Sequence, residues 1–207
     1  MKVLVFGTSA NPPCGMGGHM GLVEHFAQEF DQVWVLPVYQ HIYSSKQHLE
    51  SFDHRFAMLE IARKAIPHGD RVRIQTTEKD VWMKALEDKS VDPSSIRIGT
   101  VDIVVHLQAT YPDIKFSMLL GADTFMDLLK GKWKGGLQLL DMLSLVVLPR
   151  AGVELDRSHP NVTFVHVPTL DDSSSTKARR SRADAEAVVL PSVLEYIKTH
   201  RLYAFAE

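Results

Sequence analysis

The sequence predicts a doubly wound α/β fold, in which helices cover both faces of an open parallel sheet. Short, nearly continuous apolar segments alternate along the chain with stretches whose apolar residues recur at helical spacing. Strands that are apolar on both faces are typical of a parallel sheet with helices on each side. A glycine-rich stretch follows the first apolar segment, at the position where such sheets bind ligands. We therefore expect residues 1–207 to form one domain.

The strand pattern recurs in separate segments along the chain. In order they are 2–7, 32–38, 71–76, 115–121, 143–148 and 162–167. Apolar residues at helical spacing follow the first two segments: Leu22, Val23, Phe26 and Phe30, then Phe52, Phe56, Leu59 and Ile66. We expect the first helix to run from Met20 to Phe30. Trp34 falls within the second strand and is expected in the core, whereas the pattern does not place Trp82.

Composition and charge exclude several classes of protein. Lys and Arg number 23 against 25 Asp and Glu, so the net charge of -2 favours neither nucleic acid nor an anionic membrane surface as a partner. Cys14 is the only cysteine and fits a reducing compartment better than secretion. The apolar run at 145–148 is far too short for a membrane span. We expect a cytoplasmic protein with local anion sites.

The first motif is the glycine-rich segment GTSANPPCGMGGHMG, residues 7–21. After a parallel strand, glycines let the backbone approach a ligand, and loop N–H groups at the next helix can bind phosphate. His19 places an imidazole at the end of this segment. No Gly-Lys-Ser/Thr closes it as in a P-loop, and its glycine spacing differs from the dinucleotide fingerprint. A tight turn without a ligand is the alternative.

The second motif is DDSSSTKARRSR, residues 171–182, which brings cations to the first turns of a predicted helix. They are Lys177, Arg179, Arg180 and Arg182. Cations at this end oppose the helix dipole at a cost of about 0.3 to 1 kcal/mol each, and an anionic ligand would reverse the sign. Ser175 and Thr176 lie one helical turn before Arg179, so their hydroxyls and the guanidinium can converge on one oligophosphate. A solvated basic helix end is the alternative.

These motifs occur in an order that resembles one enzyme family. GTSANPPCGMGGH is similar to the G-T-F-(D/N)-P-x-(H/T)-x-G-H signature of the HxGH nucleotidyltransferase superfamily, and SSTKAR resembles its S-S-T-x-x-R motif. Segments along the whole chain resemble its nicotinate/nicotinamide mononucleotide adenylyltransferases: LPVYQHIYSSK, HRFAMLEIA, GADTF with Trp133, VVLPRAG and LPSVLEYIKTHRLY. The resemblance implies a Rossmann-like nucleotidyltransferase fold. It also implies adenylyl transfer from ATP to nicotinate or nicotinamide mononucleotide in NAD biosynthesis, with release of pyrophosphate.

The resemblance assigns roles to individual residues. It implies that His19 and Arg179 are catalytic. The implied ATP site comprises Gly7, Thr8, Gly18, His19, Gly121, Asp123, Ser174, Ser175, Thr176 and Arg179. The implied site for the pyridine mononucleotide comprises His41, Lys46, Thr100, Trp133 and Arg150. By the same resemblance Arg180 and Arg182 are left as solvated side chains.

Two of these roles have a physical rationale beside the resemblance. An ionised Asp123 only accepts hydrogen bonds, which suits the ribose diol of ATP, although an aspartate after a strand also commonly caps a helix. Trp133 lies among lysines and glycines, and its ring face would gain about 0.5 to 2 kcal/mol on a cationic pyridinium. A buried structural tryptophan is the alternative.

The implied reaction requires positioned donors and no general base. A phosphate monoester has a second pKa of about 6, so the mononucleotide phosphate is mostly dianionic at neutral pH and attacks the α-phosphorus directly. The loop N–H groups, His19 and Arg179 are the expected donors. Mg²⁺ is expected to arrive on the ATP phosphates, because the sequence shows no carboxylate cluster that would hold it.

The opening loop departs from the family signature and leaves questions open. It has Ser9 and Ala10 in place of one aromatic residue, and it is two residues longer between Pro12 and His19. The position of the first His/Thr of the signature is therefore ambiguous. Counted forward from Pro12 it is Cys14, and counted back from His19 it is Met16.

A rival register makes His19 the first histidine and puts Leu22 in the place of the second. The altered loop therefore permits a catalytically impaired nucleotide-binding module as an alternative. A nucleotidyltransferase for another acceptor, such as phosphopantetheine or a sugar phosphate, is a second alternative. The sequence leaves open the acid or amide form of the substrate, and both a monomer and a homo-oligomer.

Overall fold

A sheet of parallel strands forms the centre of the molecule. The structure, a computed structural model, describes residues 1–40, 49–90, 92–150, 152 and 159–206. Within these ranges the sheet has six strands: β1 (Lys2–Thr8), β2 (Gln32–Pro37), β3 (Val72–Ile74), β4 (Lys115–Gly121), β5 (Ser144–Leu148) and β6 (Val162–Phe164). Their order is β3-β2-β1-β4-β5-β6, and every neighbouring pair is parallel. Each coincides with a predicted segment, although β1 continues one residue further to Thr8, and the predicted doubly wound fold is confirmed.

Helices follow the strands and cover both faces of the sheet. They are α1 (His19–Ala27), α2 (Phe52–Lys64), α3 (Thr77–Glu87), α4 (Thr100–Thr110), α5 (Ala122–Leu129), α6 (Leu139–Met142), α7 (Ser175–Arg180), α8 (Arg182–Val188) and α9 (Pro191–Thr199). The predicted first helix was three residues too long at its end. After Ala27 the N–H groups of Gln28 and Glu29 bond three residues back, which tightens the last turn before the chain enters β2. None of the helices in these ranges is long and apolar enough to cross a membrane.

Two apolar clusters show how the strands divide their side chains between the faces. In β1, Leu4 belongs to the cluster that packs against α1, α2 and α9, whereas Val3 and Val5 belong to the cluster under α4 and α5. This alternation along a strand follows from the two-residue period of its side chains. Trp34 is buried in the second cluster, as predicted. Trp82 lies on α3 with its ring 6.3 Å from that of Tyr39.

The two central strands send the chain to opposite faces of the sheet. After β1 the chain enters α1, whose Phe26 is buried in the first cluster. After β4 it enters α5, whose Phe125 is buried in the second. β1 and β4 are neighbours, so a crevice opens between their connections at the carboxyl edge of the sheet. Ligands of doubly wound folds bind at such a switch point.

Candidate active site

The floor of the crevice is formed by glycines at the ends of β1 and β4. Gly7 and Gly121 are both exposed, and a Cβ atom added to either would meet no atom within 4 Å. Open space therefore lies directly above the two central strands. Both residues are in the predicted ATP site, and their position leaves room for a nucleotide against the backbone.

The opening loop, residues 9–18, forms one wall of the crevice. Thr8 is buried at its start and its Oγ1 accepts the Ala10 N–H at 3.2 Å. Many of the loop N–H groups that we expected to bind phosphate already have partners inside the protein. In the loop these are the N–H groups of Ala10, Cys14, Gly15 and Gly18, and the N–H groups of Met20 and Gly21 in the first turn of α1 are bonded as well. Side chains are therefore the main candidates for phosphate contacts on this wall.

Two glycines of the first motif serve close packing. A Cβ on Gly17 would collide with the Asp171 carboxylate, and a Cβ on Gly21 would collide with the carbonyl oxygen of Met16. The Gly17 carbonyl also accepts the Asp171 N–H at 3.0 Å. The absence of side chains here lets the segment around Asp171 lie directly against the opening loop.

His19 is the first residue of α1 and is held in one orientation. Its Nδ1 accepts the backbone N–H of Cys14 at 3.0 Å. Burial lowers the pKa of His19 to about 4, so the imidazole is neutral at physiological pH. Because Nδ1 is the acceptor, the ring proton lies on Nε2, which is left as a donor.

The structure bears on which of the two registers of the HxGH motif applies to His19. Leu22, the second histidine of the rival register, is buried in the first apolar cluster. The geometry therefore favours the register in which His19 is the second histidine, at the start of the helix.

The ambiguous slot for the first His/Thr carries no strong donor in either reading. Cys14 is fully buried, and burial raises the pKa of its thiol to about 11, so it stays protonated. Met16 is exposed and has only a thioether. The thiol is also unsuited to act as a nucleophile.

Residues of the second motif bind to the backbone of the opening loop. Ser174 caps α7 by accepting the Lys177 N–H at 3.1 Å. The Ser175 hydroxyl donates to the carbonyl of Pro12 at 2.8 Å. Arg179 donates from Nη1 to the carbonyl of Asn11 at 2.6 Å and from Nη2 to Thr176 Oγ1 at 3.4 Å. Residues far apart in the chain therefore meet at one short stretch of loop.

The opening loop binds both predicted catalytic residues. His19 is bound to the backbone of Cys14, and Arg179 is bound to the backbone of Asn11. An imidazole donor and a guanidinium are thus both anchored to backbone groups of one short loop. Such a pair can contact neighbouring phosphate oxygens of one bound triphosphate.

Arg180 and Arg182 of the second motif are exposed, which agrees with the expectation that they are solvated, and each also has a partner in the protein. Arg180 makes two bonds of 2.9 Å to the Asp184 carboxylate. Arg182 donates to the Ala204 carbonyl at 3.1 Å, and its guanidinium lies over the Phe205 ring. Intramolecular partners compete with water for them.

Asp123 and Arg150 meet across the carboxyl ends of β4 and β5. Arg150 Nη1 donates to Asp123 Oδ2 at 2.5 Å, and both side chains are largely exposed. The cap of α5 is Gly121, so Asp123 lies inside the first turn and is not its cap residue. The two residues were predicted to serve different substrates, the ribose of ATP and the mononucleotide. The structure brings them together as one ion pair.

Thr100 and Trp133 lie near the start of α4. Thr100 is the first residue of α4, and the Asp102 carboxylate accepts the Gly99 N–H at 2.7 Å. Lys134 Nζ contacts the same carboxylate at 2.9 Å, which joins the loop after α5 to the start of α4. Trp133 is half-buried at the margin of the second cluster. Its ring is thus anchored in the core and also partly accessible.

The other two predicted substrate residues, His41 and Lys46, lie outside the described residues. They stay predictions.

Sequence reasoning missed a buried arginine behind the opening loop. Arg55 of α2 is 1% exposed and donates to the carbonyls of Glu50 and Ser9, each at 2.9 Å. Burial lowers its pKa from the ordinary value. The signal was present, because Arg55 shares a helix face with Phe52 and Leu59, where a charged residue needs a buried partner.

The donor set of the crevice fits a metal ion that is carried by phosphates. Among the residues that the structure describes, no three His, Cys, Asp or Glu side chains form a group that could hold a metal. Magnesium is commonly bound through substrate phosphates and retained waters. A crevice with an imidazole, a guanidinium and hydroxyls complements the phosphates of such a complex.

The chain is similar to known proteins along its whole length. A model of the cytidylyltransferase-like family matches residues 5–181. A probable nicotinate-nucleotide adenylyltransferase of Myxococcus xanthus is 30% identical, over 98% of this chain and 95% of the relative. One of Oceanobacillus iheyensis is 29% identical, over 99% and 97%.

Solved structures share the fold. The nicotinic acid mononucleotide adenylyltransferase of Plasmodium falciparum, complexed with NaAD, superimposes with a TM-score of 0.77 at 18% identity, covering 99% of this chain and 98% of that one. A putative nicotinate-nucleotide adenylyltransferase of Vibrio parahaemolyticus gives a TM-score of 0.64 at 17% identity, covering 98% and 95%.

Proposed function

Because the chain belongs to the cytidylyltransferase-like family, and within it to the nicotinate-nucleotide adenylyltransferases, we propose that it adenylylates nicotinate mononucleotide. An oxygen of the mononucleotide phosphate bonds to the α-phosphorus of ATP, the bond from that phosphorus to the α–β bridging oxygen breaks, and the adenylyl group is transferred as pyrophosphate leaves. The product is the dinucleotide of NAD biosynthesis. The whole chain, residues 1–207, acts as one nucleotidyltransferase domain. Its location in the cytoplasm remains a prediction from the single cysteine.

One observation carries the mechanism. His19, neutral and with its proton on Nε2, and Arg179 are both held by the backbone of the same short loop beside an open crevice. Charge accumulates on the non-bridging and leaving oxygens as the phosphoryl group is transferred. Donors that are oriented before the reaction stabilise that charge without reorganising. The dianionic mononucleotide phosphate needs no base to attack.

Each part of the crevice contributes a separate contact. His19 Nε2 donates to the α-phosphate, and Arg179 with Ser174, Ser175 and Thr176 binds the leaving pyrophosphate. Gly7, Thr8, Gly18 and Gly121 line the path of the nucleotide. Asp123 accepts hydrogen bonds from the ribose. Bound on the phosphates, Mg²⁺ neutralises part of their negative charge.

The names of the relatives support the acid form of the substrate, because those of Myxococcus xanthus and Oceanobacillus iheyensis are probable nicotinate-nucleotide adenylyltransferases. At the start of α4 the Asp102 carboxylate already accepts the Gly99 N–H and pairs with Lys134, so a substrate carboxylate would have to compete with it there. Thr100 and Trp133 contact the ring, and Arg150 holds the mononucleotide together with His41 and Lys46.

A turnover assay with matched acceptors tests this proposal. The protein is mixed with ATP and Mg²⁺ and with nicotinate mononucleotide, nicotinamide mononucleotide or phosphopantetheine, and pyrophosphate is measured. ATP without an acceptor is the control for hydrolysis. We expect pyrophosphate and the matching dinucleotide with nicotinate mononucleotide, and slower turnover with the amide. Calorimetric binding of ATP without turnover of either pyridine nucleotide would overturn the proposal in favour of a binding module.

A further inference from the structure

The carboxyl-terminal segment folds back onto the opening loop. After α9 the chain turns at Arg201 and forms a short 3-10 turn over Tyr203–Phe205. The Phe205 ring is held between cations, with the Arg182 guanidinium at 5.3 Å and the Lys198 ammonium at 5.6 Å from its centroid. These contacts anchor the turn against α8 and α9. They also bring Tyr203 next to the crevice.

Tyr203 contacts the opening loop through its hydroxyl. The hydroxyl donates to Asn11 Oδ1 at 2.9 Å, and the same oxygen accepts the Glu50 N–H at 3.1 Å. Asn11 is only 3% exposed. Its side chain is therefore fixed from two directions. Its own carbonyl oxygen accepts the Arg179 guanidinium.

The backbone of the segment indicates that this contact is not incidental. Tyr203 has a φ of +55° and Arg201 a φ of +52°, in the left-handed region that non-glycine residues rarely adopt. Such a conformation is strained and persists where surrounding contacts determine it. Burial also raises the pKa of Tyr203 far above its ordinary value, so the hydroxyl remains a donor at any working pH.

We propose that Tyr203 is a positioning residue for adenylyl transfer, which orients Arg179 through Asn11. Tyr203 does not touch the substrate. It fixes the Asn11 side chain and thereby the peptide whose carbonyl holds the guanidinium. The inference rests on the proposed function, because Arg179 is taken to bind the pyrophosphate that leaves.

The test removes the hydroxyl and measures kcat for pyrophosphate release. Y203F is compared with the wild-type chain and with Y196F, which loses a hydroxyl of the same region that contacts His54 Nδ1 at 2.9 Å. Calorimetric ATP stoichiometry counts the folded sites, so kcat is expressed per site. We expect Y203F to lose about 3- to 10-fold in kcat, the range for one neutral hydrogen bond. Y196F is expected to keep the wild-type kcat.

A double-mutant cycle separates positioning from a structural role. In an R179K background, which weakens the geometry that Tyr203 supports, Y203F is expected to cause little further loss. N11L removes the oxygen that accepts both the Tyr203 hydroxyl and the Glu50 N–H, so it is expected to lose at least as much kcat as Y203F. The count of ATP-binding sites keeps the test valid if either variant folds only in part. An equal loss in both backgrounds, or a wild-type kcat for Y203F, would overturn the inference. Absence of turnover in the wild-type chain would instead contradict the proposed function.

Discussion

Replacement of His19 by asparagine and by glutamine tests the roles of its two ring nitrogens separately. Asparagine places an oxygen near the position of Nδ1 and can still accept the Cys14 N–H, but it has no group at Nε2. Glutamine reaches the position of Nε2 with its amide and can donate there. The pair therefore tests whether catalysis depends on the outer donor or on the anchor to the loop.

The contacts of His19 determine the expected losses in kcat and in folding stability. Loss of one oriented donor to a transition state costs about 3 to 4 kcal/mol, so H19N should lower kcat by about 10²- to 10³-fold with little change in folding stability. H19Q should recover part of that loss. H19A should also destabilise the fold by about 1 to 3 kcal/mol, because it leaves the N–H of the buried Cys14 without its partner.

Steady-state pyrophosphate release and urea unfolding measure the two effects. A further check is the pH profile of kcat/KM. The His19 pKa of about 4 lies below the assay range, so the acid limb near pH 6 belongs to the phosphate of the substrate and should be identical in H19Q. Wild-type turnover by H19N, or an acid limb that disappears in H19Q, would refute the assignment of Nε2 as the donor.

Three further predictions concern Gly121, Trp133 and the carboxyl group of Glu78. G121V should leave the melting temperature nearly unchanged, because a Cβ there meets no atom within 4 Å. The added side chain should occupy space that we assign to the nucleotide and raise the KM for ATP at least tenfold. An unchanged KM would mean that the nucleotide binds elsewhere. W133A should raise the KM for the mononucleotide about 2- to 30-fold, the range of a cation–π contact, with W133F as the milder control and an unchanged KM as the contrary result. Burial raises the pKa of Glu78 to about 7 from 4.5, so its stabilising protonated form is lost as the pH rises through 7. In urea titrations E78Q should therefore exceed the wild-type stability at pH 8, by up to about 3 kcal/mol, and match it near pH 4.5; equal curves at both pH values would contradict this.

Local patterns were sufficient to predict the sheet. The central strands β1, β4 and β5 are short apolar runs that are largely buried, so the runs themselves locate them. The edge strands β3 and β6 are shorter, and each carries an exposed residue, Arg73 and Thr163. Strand order was not predicted, because doubly wound sheets occur in more than one order. In the structure β1 and β4 are neighbours, and this brings Gly7 and Gly121 to the same edge of the sheet. The resemblance then added His19 and Arg179, whose convergence on one loop agrees with a shared ligand.

Contacts that depend on distant backbone could not be predicted. Gly15 donates its N–H to the carbonyl of Val188, and Arg55 donates to the carbonyl of Ser9. A carbonyl group is present in every residue, so no side-chain pattern identifies which one accepts. The same holds for Arg182, whose partner is the carbonyl of Ala204. The number of free donors in the opening loop was overestimated for this reason.

If Asp123 binds the ribose of ATP and Arg150 binds the mononucleotide, as proposed, their ion pair would make nucleotide binding an exchange of partners. Ribose hydroxyls on the carboxylate would leave the guanidinium available to a second anion. The first substrate to bind would then bear the cost of separating the pair, and the second would not. By thermodynamic reciprocity, ATP would raise the affinity for the mononucleotide by the same factor as the mononucleotide raises that for ATP. Synergy between the reactants would thus be a property of two exposed side chains at the strand ends.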